Sequence, residues 1–487
     1  MKNKNQKHYI TIIISLLFIF CFRFVPALPG LSASAMQVLG VFIGVLILWL
    51  RVSISWPSVL LIAALGFVPE LKFSQILSVS YGGSTFVFLM FTFALTYALS
   101  QTSYIKRIAI GFITSNFAQR GAWQFITLYC ASILFIGMFV SPTVLFFVYL
   151  PIVEEIYVIL GLKKGDKFAA TLMMATVIMC GISSGMTPIS HVFPILALNA
   201  YEAATQTAIS YAYFMGIGIP CGILTAILTI LTFRFILRPD TSAFAKFNPE
   251  AFKKEQKPVT RDEKTVLAVF IIVVLLWVVP GMISGLLPDG FFKTAISTIS
   301  GLGTAFPPIA GLVTLCILLG ENGKPLLNFA EAFSKGISWP AVIMCAGTAA
   351  LGSALTNADI GITAWLSNGM SPVLSNLPVL GMIFIFCFWA ALQTNLSSNN
   401  VTATVVSTAA VAITLSMDSV NTMGLVVLIG MMSAYAFATP PAMPCVAVAG
   451  SSGWTNTTQM MKYGFIAMLI SVAIFTLIGY PISLALL

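Results

Sequence analysis

Short polar side chains interrupt apolar sequence at four places, which form two matched pairs. Residues 141–143 (Ser-Pro-Thr) precede a Thr-Pro pair at 187–188, and residues 398–400 (Ser-Asn-Asn) precede a Thr-Pro pair at 439–440. Hydroxyl and amide groups can bind an anion without placing a charge in hydrocarbon, where it would be costly. Free carbonyls at interrupted helix ends suit a hard cation such as Na⁺. The residues therefore indicate sites for a small anion and for a cation.

The apolar stretches that carry these residues are too long or too interrupted to be single membrane spans. They are residues 124–160, 168–200, 378–416 and 422–448. In lipid, irregular backbone survives only where it lines a protein cavity, because its N–H and C=O groups need partners. We predict two re-entrant hairpins with tips near 141–143 and 397–400, and two helices broken near 183–188 and 438–442. The helix that follows each tip would direct free N–H groups and its positive dipole end at an anion.

Composition places all of this in a membrane. Of the 487 residues, 59% are hydrophobic and only 8% are charged, whereas soluble domains have roughly 25% charged residues. This excludes a soluble enzyme, a nucleic-acid binder and a disordered scaffold. The eight cysteines form no CxxC or Cys/His cluster, so neither a disulfide framework nor a transition-metal site is indicated. We predict an all-α polytopic membrane protein with about eleven transmembrane helices of about 20 residues each, besides the two hairpins.

Basic residues orient these spans. With a cytoplasmic N-terminus and an external C-terminus, all but three of the 24 Lys and Arg residues lie on the cytoplasmic side, the exceptions being Arg23, Lys72 and Lys293. The positive-inside rule requires such an asymmetry, and we expect a bacterial-type plasma membrane. If residues 124–160 and 378–416 were ordinary pairs of spans, the same sides would result, so charge does not decide whether the hairpins are re-entrant.

The two matched pairs divide the chain into halves. We predict an N-terminal helix over 1–35, a first repeat over 36–238, a cytoplasmic linker over 239–264 and a second repeat over 265–487. An odd number of spans between the hairpins inverts the second copy. Any single motif could be a proline kink or a hydroxyl bonded within its own helix. Matched pairs in inverted repeats are instead typical of secondary transporters.

The motifs resemble those of the divalent-anion:sodium symporter family, the bacterial relatives of the sodium-coupled di- and tricarboxylate carriers of animals. That family has a Ser-Asn-Thr signature at each hairpin tip and a Thr-Pro element in each broken helix. Residues 394–404 (TNLSSNNVTAT) resemble the second signature, with Asn400 in place of Thr, and residues 438–442 (ATPPA) resemble the second Thr-Pro element. In the first half, residues 185–189 (GMTPI) match well, whereas Pro142 replaces the signature Asn.

The resemblance implies a homodimer in which a transport part of each protomer moves past a scaffold part as an elevator. It implies substrate contacts at both tips and both breaks: Ser141, Thr143, Thr187, Pro188, Ser398, Asn399, Asn400, Thr439 and Pro440. One sodium site maps to Thr394, Ser398, Asn399 and the carbonyl of Ala438. The other maps to Gly137, Ser141, Pro142 and the carbonyl of Met186. Because Gly137 and Pro142 supply no side-chain oxygen, we expect the sodium site of the first half to be weak or lost. Fewer sodium ions would then be coupled per cycle than is usual in the family.

Three other features leave alternatives open. His191, three residues after Pro188, could bond substrate, carry a proton or be a hydrogen-bonded packing residue. Glu154 and Glu155 could relay a cation or form a solvated face near the cytoplasm. Residues 81–85 (Tyr-Gly-Gly-Ser-Thr) slightly resemble a channel filter, although a single copy is weak evidence.

The sequence thus favours a secondary active transporter of small anionic metabolites, dicarboxylates or tricarboxylates first, coupled to Na⁺, H⁺ or both. We expect no organic cofactor, no nucleic-acid partner and no enzymatic activity. The alternatives are a cation/proton antiporter, which would need a buried acidic residue, and a passive anion channel. Ser, Thr and Asn tips suit dicarboxylate, tricarboxylate or sulfate equally, so the residues do not name the anion.

Overall fold

The chain folds into helices that follow one another closely. In the computed structural model, the described residues are 2–247, 249, 258–283, 290–362, 364–365, 377–439 and 442–487. Before the linker the helices are α1 (Lys2–Cys21), α2 (Ala33–Arg51), α3 (Trp56–Leu65), α4 (Phe73–Ser80), α5 (Ser84–Ser100), α6 (Tyr104–Ile113), α7 (Ala122–Gly137), α8 (Pro142–Leu160), α9 (Lys167–Met186), α10 (Val192–Thr205) and α11 (Tyr211–Thr232). After it they are α12 (Arg261–Ile283), α13 (Phe291–Gly301), α14 (Phe306–Ile317), α15 (Phe329–Glu331), α16 (Trp339–Thr356), α17 (Val379–Leu396), α18 (Asn399–Thr414), α19 (Thr422–Ala434), α20 (Pro444–Ser451), α21 (Thr457–Ile474) and α22 (Tyr480–Ala485). A π-helical turn, Ala332–Gly336, continues α15.

The helices have the length and outer surface of a membrane protein. Within the described ranges, nine helices are long and apolar enough to cross a bilayer, and four shorter apolar helices have 10–17 residues. Large apolar side chains such as Val158, Phe235 and Leu469 face outward, an arrangement that lipid stabilises and water does not. The prediction of an all-helical polytopic membrane protein is therefore confirmed. The count of eleven spans and the sides of the termini remain predictions.

The two halves repeat the same order of helices. α7 and α8 form the first hairpin, α9 and α10 the first broken helix, and α11 follows; α17 to α21 repeat this order. Packing also corresponds when the halves are exchanged: α7 packs on α9 as α17 packs on α19, and α10 on α18 as α20 on α8. The helices α9 and α19 pack on each other at the centre. The same positions in the two halves can therefore be compared residue by residue.

A second, smaller core lies mostly outside these repeats and meets them at the second hairpin. It joins the first helices of the chain, through side chains such as Val41 and Leu61, to Met344 of α16 and Val401 of α18. Most of the buried side chains of the hairpins and broken helices belong to the main core, which includes Phe146, Met179 and Phe437.

Three boundaries differ from the predicted ones. The predicted N-terminal helix over 1–35 is interrupted: α1 ends at Cys21, and α2 begins at Ala33 with Ser32 as its N-cap. The first break begins at 187 rather than 183: Ser183 and Ser184 lie within α9, and their hydroxyls donate to carbonyls of that helix, one turn earlier. The second break begins at 435 rather than 438.

Candidate functional site

The first hairpin turns at residues 138–141, and α8 begins immediately after Ser141. Pro142 occupies the first helical position, where its fixed φ is favourable and its missing N–H costs nothing. The Ser141 side chain does not cap the helix. The next N–H groups, of Thr143 and Val144, belong to the first turn of a helix, which has no intrahelical partners for them.

A cavity of about 280 Å³ with a mixed polar and apolar lining lies against this tip. On the hairpin side it is lined by Ser141, Thr143, Val144, Ser190 and His191. On the opposite side it is lined by Thr96, Tyr97, Ser100, Lys335 and Ser338. The structure thus brings together one predicted tip and the predicted histidine, and adds a facing wall of hydroxyls with a lysine.

Two helix N-termini meet at this cavity. α8 starts after Ser141, and α10 starts after His191, which is its N-cap residue but forms no capping hydrogen bond. Each N-terminus carries partial positive charge from its unpaired N–H groups. The Nδ1 atom of His191 is buried and has no hydrogen-bond partner in the protein. The arrangement is favourable for an anion that accepts hydrogen bonds.

The opposite wall carries an ion pair outside the candidate spans. The Lys335 ammonium lies 2.9 Å from Oε1 of Glu331, and the Tyr97 hydroxyl donates to the same oxygen at 3.1 Å. The hydrogen bond between them lowers the pKa of Glu331 and raises the pKa of Lys335. Both side chains are well exposed, so the pair contributes little stability. Lys335 can therefore exchange its partner for an entering anion at little cost.

The threonines of the two Thr-Pro elements tie each break to its hairpin. The Thr187 hydroxyl donates to the carbonyl of Met138 at 2.5 Å, and the Thr439 hydroxyl donates to the carbonyl of Asn395. Each carbonyl belongs to the residue three positions before the tip serine, Ser141 or Ser398. These hydroxyls fix the relative position of tip and break. The Thr187 oxygen also accepts the N–H of Ile189 at 3.3 Å, so little of its hydrogen-bonding capacity remains for a ligand.

The second tip is built differently from the first. Ser398 is the N-cap of α18, and its hydroxyl accepts the N–H of Val401 at 3.5 Å. Next to it, Asn399 is 4% exposed, and both its amide nitrogen and its amide oxygen are buried without a partner. The Asn400 side-chain oxygen is also buried and unpartnered. Because buried polar groups are normally hydrogen-bonded, these amides point to a ligand that both donates and accepts, or to a cation and an anion together.

Asn395 was not predicted, and it organises the second break. Its Nδ2 donates to the carbonyls of Ala391 at 2.9 Å and Tyr435 at 3.0 Å. Its Oδ1 accepts the N–H groups of Phe437 at 3.0 Å and Ala438 at 2.8 Å. The break begins at 435 because this side chain replaces helical partners for three backbone groups. The sequence does contain a signal, since an Asn in an apolar hairpin arm requires partners.

The predicted sodium positions of the two halves have unequal chemistry. Thr394 is fully buried, and its hydroxyl donates to the carbonyl of Ser433 at 2.7 Å, so two oxygens adjoin beside the second tip. At the corresponding Gly137 there is no room for a side chain, because a Cβ would lie 2.0 Å from the Ser183 hydroxyl. A Thr cannot replace this glycine without displacing α9.

The backbone of each break is covered by a glycine of the helix that follows. A Cβ on Gly218 of α11 would lie 2.4 Å from the Met186 carbonyl oxygen. A Cβ on Gly464 of α21 would lie 2.3 Å from the Cα of Ala438. Pro188 is buried in the first break, whereas Pro440 lies outside the described residues. Among the described residues, no group of His, Cys, Asp and Glu has the arrangement of a metal site.

Comparison with solved structures identifies the fold. The YdaH transporter of Alcanivorax borkumensis superposes with a TM-score of 0.54 at 11% identity, covering 84% of this chain and 87% of that chain. MtrF of Neisseria gonorrhoeae, described as illuminating a class of antimetabolite efflux pumps, superposes with a TM-score of 0.53 at 13% identity, covering 96% and 94%. At these identities the similarity concerns the fold alone.

Sequence comparison identifies the family. The sodium-dependent dicarboxylate transporter SdcS of Staphylococcus saprophyticus is 23% identical over 467 residues, covering 91% of this chain and 86% of the relative. SdcS of Staphylococcus aureus is 22% identical over 469 residues, with the same coverage. The family model of the sodium:sulfate symporter transmembrane region matches residues 5–487. The resemblance predicted from the motifs is confirmed, and the chain belongs to the sodium:sulfate symporter family of membrane transporters.

Proposed function

We propose that this membrane transporter carries small dicarboxylates, which it binds in the cavity at the first hairpin tip, and that Na⁺ bound in the second half drives the cycle. The observation that carries the proposal is the cavity lined by Ser141, Thr143, His191 and Lys335. It has hydrogen-bond donors at both walls, as an anion with a carboxylate at each end requires. The dicarboxylate relatives support this substrate class.

The binding mode follows from the electrostatics of the two walls. One carboxylate accepts hydrogen bonds from the Ser141 and Thr143 hydroxyls and from N–H groups of the first turn of α8. The other carboxylate pairs with Lys335, which releases Glu331. His191 then donates or accepts a hydrogen bond according to which ring nitrogen carries its proton.

The cation belongs to the second half. Oxygens from Thr394, Ser433 and the Asn399 side chain lie beside the tip, and Asn395 holds the backbone from Tyr435 to Ala438 in a fixed, non-helical path. Hard cations prefer such oxygen sites. In the first half Gly137 supplies no side-chain oxygen, and the Ser183 hydroxyl that fills its place already donates to the carbonyl of Cys180. We therefore propose that the first half binds sodium weakly or not at all. A proton carried by His191 would supply the coupling that the missing ion does not.

The large-scale cycle is proposed from the family resemblance and the repeat. The hairpins and broken helices would move together as the transport part of an elevator, within a homodimer. The N-terminus would be cytoplasmic and the C-terminus external. Tip and break are tied to each other in both halves by Thr187 and Thr439, which supports a transport part that moves as one body.

Uptake into proteoliposomes tests the proposal. Labelled succinate, citrate and sulfate are offered with and without an inward sodium gradient. We expect sodium-dependent accumulation of the dicarboxylate, and we expect its loss in Ser141→Ala and Lys335→Gln. Ser471→Ala is the matched control, because that hydroxyl bonds a carbonyl of its own helix.

Three results would contradict the proposal. Conductance without accumulation indicates the passive channel. Sodium–proton exchange that is abolished by Glu154→Gln indicates the antiporter. Accumulation of sulfate but not of succinate would give the same cavity a different substrate.

A further inference from the structure

Two hydroxyls at the start of α5 bind one carboxylate near the end of α10. The Ser84 hydroxyl donates to Oε1 of Glu202, and the Thr85 hydroxyl donates to Oε2 at 2.5 Å. Ser84 and Thr85 end the Tyr-Gly-Gly-Ser-Thr sequence, to which neither the cavity nor the cation site gives a role. Hydrogen bonds to an ionised group are about twice as strong as neutral ones.

These bonds lie at one end of the contact between α5 and α10, which we call the seam. The cavity lies at the other end. Thr96 of α5, and Val192 at the start of α10, both line the cavity. From Val192 to Glu202 is ten residues, and from Thr85 to Thr96 is eleven residues. At 1.5 Å per residue these are roughly 15 and 17 Å. The two helices therefore run antiparallel, with the cavity at one end of their seam and the carboxylate contact at the other.

The two helices have different main neighbours. α5 packs on α12, α14 and the π-helical turn Ala332–Gly336, whereas α10 packs on α18 and α19, and α16 packs on both α5 and α10. α10 is therefore packed on the second hairpin and the second broken helix, whereas the main neighbours of α5 lie outside both. In the proposed elevator cycle α10 moves with the hairpins and broken helices, so the Glu202 contact joins this moving part to a helix outside it.

We propose that Glu202 is the gate residue of this transporter. Its carboxylate, bound to Ser84 and Thr85, closes the far end of the seam while the cavity is open beside Lys335. The bonds must break before the cavity can face the other side. This inference rests on the proposed transport function, and it adds a residue that acts on access to the cavity and does not touch the substrate.

Thiol labelling without substrate or sodium tests the gate. Cys21 and Cys316, the cysteines that are not buried, are first replaced by Ser. Leu198, 6% exposed and beside the contact, is then changed to Cys and treated with a hydrophilic maleimide. We expect Glu202→Gln to raise the labelling rate of Leu198→Cys about tenfold or more, since two charge-assisted hydrogen bonds are weakened. Labelling of Val144→Cys in the cavity should fall in parallel.

Two further variants keep the test decisive. Thr85→Val preserves the shape of the side chain and should also raise Leu198→Cys labelling. Glu70→Gln is the matched control. Glu70 accepts a hydrogen bond of 2.8 Å from Ser34, and this pair does not belong to the seam. The substitution should change neither labelling rate. Unchanged Leu198→Cys labelling in both Glu202→Gln and Thr85→Val would overturn the gate, as would an equal rise in Glu70→Gln. Since no substrate is present, failure of dicarboxylate uptake would not affect this result.

Discussion

Replacing Asn395 by Ala should damage sodium binding out of proportion to its effect on folding. The side chain makes four hydrogen bonds, three of them to backbone groups of the second break. Each buried group left without a partner costs roughly 1–3 kcal/mol. The expected loss of stability is therefore at least about 3 kcal/mol if the break keeps its shape. The break can avoid part of this cost by moving, and movement displaces the Ala438 carbonyl from the predicted sodium site.

The assay is sodium-dependent uptake together with sodium-dependent thermal stabilisation. A rearrangement that weakens sodium binding by about 1.4 kcal/mol raises the half-saturating sodium concentration tenfold. We expect a tenfold or greater rise for Asn395→Ala, and loss of the increase in Tm that sodium gives the wild type. The KM for dicarboxylate at saturating sodium should change much less.

Asn199→Ala provides the comparison. Asn199 is also a buried helical asparagine, 5% exposed, and its Nδ2 donates to the carbonyl of Cys345 at 3.1 Å. Its replacement should lower stability without changing the half-saturating sodium concentration. Equal sodium dependence in the two variants would refute the assignment of Asn395 as a positioning residue for the cation.

The remaining predictions concern the tips, the ion coupling, and the Thr187 and Thr439 hydrogen bonds that join each tip to its break, which we call the ties. Replacing Ser398 or Asn399 by Ala should abolish uptake with near-normal expression, because each lost charge-assisted hydrogen bond costs roughly 1.5–3 kcal/mol; wild-type uptake in both would refute their roles. The Hill slope for sodium should be near one, and a pH gradient should drive uptake that His191→Gln abolishes; a slope well above one with no pH response in the wild type would contradict this. Thr187→Val and Thr439→Val should each lower the maximal rate more than they raise the substrate KM, because the lost bond joins tip to break; kinetic constants unchanged in both would show that the ties are dispensable.

Much of the architecture was predictable because it depends on local sequence. Apolar stretches of spanning length and the interruptions at 141–143, 187–188, 398–400 and 439–440 predicted the helices, turns and repeat. Hydrophobic burial in lipid acts on each segment by itself, so composition over about 20 residues is sufficient. Boundaries were less accurate where a side chain from elsewhere supplied the partners of the backbone, as Asn395 does for the second break.

The candidate site was predicted only in part, because the sequence shows local features but not which distant segments meet. The tip residues were found from the types and spacing of their side chains, and Ser141, Thr143 and His191 do line one cavity. Lys335 and Glu202 were not predicted. The ion-pair partner of Lys335, Glu331, is local, but only the packing of distant segments places Lys335 on the cavity opposite Ser141. The partners of Glu202, Ser84 and Thr85, lie far away in sequence. A charged residue near a helix end looks the same in sequence whether it faces solvent or another helix.

The sequence by itself determined that this chain lies in a membrane, that it repeats, and which short polar segments interrupt its helices. The tertiary structure decided what those segments do. It placed the first tip on an open cavity with two helix N-termini and closed the second tip around buried, unpartnered amides. The physical reason is that hydrogen-bond partners and available space belong to pairs of helices. Whether Gly137 leaves a vacancy or only accommodates the Ser183 hydroxyl depends on how closely α9 approaches, and no single segment contains that distance.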